Sequence, residues 1–140
     1  MSQFDSAIEA LRAETGWPPP AAGRRGGVRF ELEGGPDLEI FSPDGRRLFL
    51  WADLETLPPG EAPEARAATL AGLAAAAARR RASILSFDGQ VFSLHREANL
   101  RAAEPTAIPV QARALLNDWD WWRQNRPAAE PAAPPAGLRP

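Results

Sequence analysis

His95 is the only histidine of this 140-residue chain, and it stands two residues before Glu97 in the run VFSLHRE. Residues two apart on an extended strand share a face, so His95 and Glu97 would sit together, with Ser93 and Ser86 nearby. An imidazole beside a carboxylate is the minimum for acid–base work, but it still needs a nucleophile or substrate within reach. Asp118 and Asp120 flank Trp119. Residues two apart on a helix point in different directions, so these two read as a wet rim around a tryptophan stripe. Gly23 to Gly27 lacks the Gly-Lys-Ser/Thr end of a phosphate loop, and no strand precedes it. Without a wider basic face, Arg24-Arg25 and Arg79 to Arg81 read as solvated loop and helix-end residues. With no cysteine, disulfides, thiolate metal sites and cysteine nucleophiles are excluded. One histidine leaves only scattered carboxylates for a metal. No catalytic, metal or cofactor site is expected, and His95 with Glu97 is the one enzymatic alternative.

The charge balance narrows the partners. A formal net charge of −2 gives no electrostatic reason to bind nucleic acid or an anionic membrane. The sixteen basic residues are all arginine, which looks like genome composition bias rather than chemistry. Hydrophobic residues make up 44%, but 28 of them are alanine, so the core is small and oligomerisation would help complete it. MSQFDSAIEALRAE has no apolar signal region and no run is long enough to span a bilayer, so a bacterial cytoplasmic location is expected.

The elements that would position these residues follow from periodicity. Ser2 to Thr15 reads as a short amphipathic helix with Ser2 as cap and Asp5 completing a capping box; Phe4, Ile8 and Leu11 share a face. Gly16 and Pro18-Pro19-Pro20 stop it, Trp17 folds back on the domain, and Ala21 to Gly27 is a loop. Val28 to Leu32 and Leu38 to Ser42 alternate as strands around Gly34-Gly35-Pro36, with a three-residue loop that pairs Leu32 with Leu38 and Phe30 with Ile40. Ser42-Pro43-Asp44-Gly45 is a turn. Arg46 to Trp51 is a strand apolar on both faces, and Ala52 to Ala62 is a loop. An alanine-rich helix starts at Pro63 and carries Arg79 to Arg81 in its last turn. Ala82 to Leu94 is a hairpin around Asp88-Gly89, expected to pair Phe87 with Gln90 and Leu85 with Phe92. Its oily face is Leu85, Phe87, Phe92 and Leu94; its mixed face is Ile84, Ser86, Val91, Ser93 and His95. Glu97 to Pro105 connects it to a last helix, Ala107 to Asn125, with a buried stripe of Ile108, Ala112, Leu115, Trp119 and Trp122. The expected order is α-β-β-β-α-β-β-α, an α+β domain over residues 1–126, with residues 127–140 a disordered Pro/Ala-rich tail.

This pattern resembles the class I type III secretion chaperones, the Tir chaperone family. The resemblance spans roughly residues 4–125. It rests on LFLWADLETLP (Leu48 to Pro58), TLAGLAAAAA (Thr69 to Ala78), SILSFDGQVFSLHREANL (Ser83 to Leu100) and the helix ending in DWDWW. Alanine stands where the family often has an asparagine in the middle helix. The resemblance implies a homodimer with a twisted antiparallel sheet packed against helices. It implies a non-enzymatic role: holding the N-terminal segment of a secreted effector extended and presenting it to the secretion ATPase. Carried onto this chain, effector-binding candidates are Phe4, Ile8, Leu11, Val28, Phe30, Leu32, Leu38 and Ile40. Dimer-interface candidates are Leu70, Leu73, Ala74, Ala77, Ile84 and Ser86. A same-fold adaptor unconnected to secretion is a further alternative.

Overall fold

The structure, a computed structural model, describes residues 2–100 and 107–128. Three helices, α1 (Gln3–Thr15), α2 (Pro63–Ala77) and α3 (Ala107–Asn125), accompany six strands: β1 (Ala21–Ala22), β2 (Val28–Glu31), β3 (Asp37–Phe41), β4 (Arg47–Thr56), β5 (Ile84–Phe87) and β6 (Val91–Asn99). The strands form one antiparallel sheet in the order β1-β2-β3-β4-β6-β5. The α+β class and element order are as expected, with the two-residue β1 added inside the expected Ala21 to Gly27 loop.

Local chemistry explains α1. The Asp5 N–H donates to the Ser2 hydroxyl at 3.0 Å, while the Ser2 N–H reaches the Asp5 carboxylate at 3.3 Å, so two orphan donors are satisfied reciprocally. Gly16, at φ 73°, closes the helix in the left-handed region where glycine has no Cβ penalty. The turn into β4 is held similarly. The Asp44 carboxylate accepts the N–H groups of Arg47 at 2.8 Å and Arg46 at 2.9 Å. Those bonds favour the charged form and lower its pKa to about 2.

Both hairpin registers differ from expectation by two residues. Phe30 pairs with Leu38 and Val28 with Ile40, so the connection after β2 is longer than three residues. In the second hairpin Phe87 pairs with Phe92 and Leu85 with Leu94. There Asp88 is not a turn centre. Its backbone N–H donates to the Val91 carbonyl at 3.3 Å, and its carboxylate accepts the N–H groups of Gln90 and Val91, both at 2.8 Å. The two-residue loop is therefore Gly89-Gln90. Gly89, at φ 103°, takes the first central position, where a II′ turn requires glycine. A slip of two residues preserves the faces, and so the oily and mixed sides are as expected.

Other boundaries move for identifiable reasons. Strand β4 runs to Thr56, because β6 pairs with it along its whole length and continues through Glu97 to Asn99. A bulge between Asp53 and Glu55 interrupts that pairing. Beyond it, Glu55 turns to the helix side and binds Arg66, whose Nε and Nη2 each donate to it at 3.0 Å. Helix α2 ends at Ala77, so Arg79 to Arg81 lie beyond it, and Arg81 reaches Asp118 at 3.3 Å. The stripe of α3 is displaced as well. Ile108 and Trp119 are only half-buried, whereas Pro109 and Asp118 are buried beside Ala112, Leu115 and Trp122. Asp118 is thus no wet rim: Ser83, Arg81 and Arg96 draw it inward. Residues 101–106 of the expected connection and 129–140 of the expected tail lie outside the described residues.

The core lies between one sheet face and the helices. Phe30, Leu38, Ile40, Leu48, Leu50, Ala52, Leu54, Phe92 and Leu94 meet Ile8 and Leu11 of α1, Leu70 of α2, and Ala112, Leu115 and Trp122 of α3. The opposite face carries Phe41, Phe49, Trp51 and His95 in an aromatic row. Trp51 and His95 stack at 4.6 Å and 6°, and the Arg25 guanidinium lies 4.6 Å from the Trp51 ring.

Candidate functional site

Helix α1 and the β1–β2 edge of the sheet leave a hollow of about 450 Å³ between them. Its lining is Ile8 and Val28 with Pro20 on the apolar side, and Asp5, Glu9 and Arg12 on the polar side. Ile8 is there because the α1 stripe faces the core, and Val28 because it starts the β2 face that ends in buried Phe30. The edge itself is thin: β1 pairs only with Val28 and Arg29. Further along, Trp17 folds back on Phe30 with ring centroids 5.2 Å apart. It joins Leu32, Leu116, Trp119 and the Glu33-Gly34-Gly35-Pro36 turn around a second hollow of about 250 Å³. The Trp119 indole N–H is anchored on the Asp53 carbonyl at 2.9 Å. Apolar floors with charged rims beside a short edge strand suit an extended polypeptide, which gains main-chain hydrogen bonds at an edge and side-chain pockets beside it.

The acid–base alternative can be placed against the same geometry. The His95 ring lies flat on Trp51, and its Nδ1 is 3.2 Å from the Ser86 hydroxyl. Burial pushes the imidazole below its usual pKa, opposed by the Glu97 charge. Glu97 is 3.6 Å from Arg47 rather than bonded to the imidazole. Among the described residues no group of three His, Asp or Glu side chains is arranged to hold a metal, and no helix is long and apolar enough to cross a membrane.

The model of the Tir chaperone protein (CesT) family matches residues 6–123, a span that runs from α1 into the last turn of α3. The chain belongs to that family. No curated protein matches the sequence significantly. Solved structures share the fold. A chain of the HopA1-SchA chaperone-effector complex has a TM-score of 0.64 at 17% identity, covering 87% of this chain and 94% of that one. A chain of the ExsC-ExsE complex has a TM-score of 0.67 at 17% identity, covering 93% and 100%. A chain of the ExoU-SpcU complex from the type III secretion system of Pseudomonas aeruginosa has a TM-score of 0.57 at 16% identity, covering 84% and 95%.

On this Tir chaperone fold the candidate residues divide by depth. Leu11, Phe30, Leu38 and Ile40 are fully buried in the protomer and Ile8 nearly so, while Phe4, Val28 and Leu32 reach the surface at the core's margin. Of the six interface candidates, Leu70 and Ala77 are buried and Leu73, Ala74 and Ser86 are half-buried. Ile84 is 56% exposed on the edge strand β5. Sequence reasoning missed Arg12, Pro20, Leu116 and the glycine turn as lining residues. In the sequence Pro20 and the glycines signal only a break in the chain, and no periodic signal marks a residue that lines a hollow from a loop.

Proposed function

We propose that this member of the Tir chaperone family is a non-enzymatic type III secretion chaperone. It holds the N-terminal segment of a secreted effector in extended form, acts as a homodimer in the bacterial cytoplasm, and presents its client to the secretion ATPase. The observation that carries this reading is the α1 hollow, where half-buried Val28 and the rim of the nearly buried Ile8 line a recess beside a sheet edge covered by only two residues of β1. Two of the fold's neighbours, described as chaperone-effector and type III secretion complexes, support it. No observation favours the His95–Glu97 enzyme, since Glu97 lies by Arg47 and the imidazole by Ser86.

Co-expression with candidate effectors of the same genome tests the reading. The expected result is a soluble complex holding two chaperone chains per effector segment. Val28→Glu places a charge in the hollow without emptying the core, and it should fold normally yet lose the complex. Failure of every secreted protein to co-purify, or full client retention by Val28→Glu, sinks the proposal.

The dimer has its own test. Ile84 contributes little to its own protomer while exposing most of an apolar side chain on an edge strand. Ile84→Asp is expected to lower the mass measured by light scattering from two chains to one, 15.1 kDa, without changing the far-UV spectrum. An unchanged dimer mass would remove β5 from the seam.

A further inference from the structure

A third hollow, of about 400 Å³, lies away from α1, where the last turn of α3 meets the start of α2. Glu55, Arg66, Arg123, Arg126, Pro127 and Ala128 line it. Arg66 is 2% exposed, bound to Glu55 through two nitrogens, and donates from Nη2 to the Pro127 carbonyl at 2.8 Å. Arg126 reaches the same Glu55 carboxylate at 3.3 Å and the Leu54 carbonyl at 3.2 Å. Among the described residues Arg123 pairs with Asp120, at 3.8 Å, and lies over the Trp119 ring at 5.2 Å with half its side chain exposed.

Among the described residues the charges do not balance locally. Two guanidinium groups share one carboxylate, and the third has a long, solvated pairing. The C-terminus of α3 supplies about half a negative charge, screened at the surface. Positive charge is left over in a chain whose overall charge is negative. We infer that this hollow is a carboxylate-binding site for an acidic peptide segment of a partner. Guanidinium forks match carboxylates in two-bond geometry, as Arg66 with Glu55 already shows within the hollow. The carbonyl end of α3 disfavours a phosphate dianion more than a singly charged carboxylate. The hollow, lined in part by Pro127 and Ala128, is a broad open recess rather than an enclosed ion cavity. This site is separate from the α1 hollow, so it stands or falls independently of the client reading.

The test uses the full chain and a capped Ala-Glu-Glu-Ala peptide at fixed ionic strength, with Ala-Gln-Gln-Ala as the uncharged match. The Glu peptide is expected to shift the Trp119 indole N–H resonance saturably, and the Gln peptide to leave it unmoved. Arg123→Gln leaves the Arg66–Glu55 pair intact and should weaken binding about fivefold, the size of one well-placed exposed ion pair. Equal responses to the two peptides, or unchanged affinity in Arg123→Gln, would overturn the assignment. Tighter binding by Glu130→Gln would overturn it too, by making the chain's own tail the occupant.

Discussion

Asp118→Ala is expected to destabilise the protomer by about 3–5 kcal/mol, the cost of removing one partner from a buried ion pair. Asp118 is 3% exposed. It accepts from the Ser83 N–H at 3.1 Å and from Arg96 and Arg81 at 3.2 and 3.3 Å. Arg96 stands on the helix-facing side of β6, with 17% of its side chain exposed. Alanine would leave that cation with only the neutral acceptors Ser83 and Gln111, and the Ser83 N–H without its acceptor, where β6 meets α3. Asp120, two residues on, pairs with Arg123 at 3.8 Å and is half-exposed; Asp120→Ala should move stability by less than about 0.5 kcal/mol. Urea unfolding midpoints of the two variants measure the contrast directly. Equal midpoints would show that Asp118 holds nothing.

Gly27→Ala is the second large effect. A Cβ at Gly27 would overlap the Ile40 carbonyl oxygen and lie 2.8 Å from the Phe41 Cα. Both are backbone atoms of β3: Ile40 is paired on both sides, with Val28 and Leu50, and Phe41 is paired with Phe49, so neither gives way readily. The Gly23–Gly27 turn must then lift off the sheet. Arg25 goes with it, losing the Glu39 carboxylate at 3.0 Å and the Trp51 ring. Overpacking together with those losses is expected to cost about 3 kcal/mol, and amide exchange from residue 22 to 30 should quicken. Gly72→Ala is the contrasting case. Nothing lies within 4 Å of its added Cβ in α2, so helix propensity alone should stabilise by up to about 1 kcal/mol. Measuring both at several protein concentrations separates any effect of association from the comparison. A Gly27→Ala protein with the parent's midpoint and exchange rates would refute the close approach.

How far the sequence announces this structure depends on what each feature rests on. Helix α1 is legible to the residue because Ser2, Asp5 and Gly16 act on their own neighbours. The register of the β5–β6 hairpin is not, because Asp88 has two uses. As a turn centre it sets one register, and as a side-chain acceptor for Gln90 and Val91 it sets another. The faces survive the error since strand alternation repeats every two residues. Asp118 is harder still: its burial depends on Arg96 and Ser83, distant in sequence and matched by no periodic signal. The same limit governs the binding surface. Ile8 and Phe4 share a stripe, as do Phe30 and Val28, and the stripe says which side faces inward but not where the core ends.

The bulge beside Leu54 ties chain length to charge. It allows Glu55 to stand on the helix side, between Arg66 and Arg126, although alternation from Asp53 would send it to the other face. A lineage that loses one residue here restores a regular strand and strands two cations without a counterion. Such a deletion can persist only alongside replacement of those arginines. Strand length and these two arginines, one on α2 and one just past the end of α3, are therefore expected to drift together rather than separately.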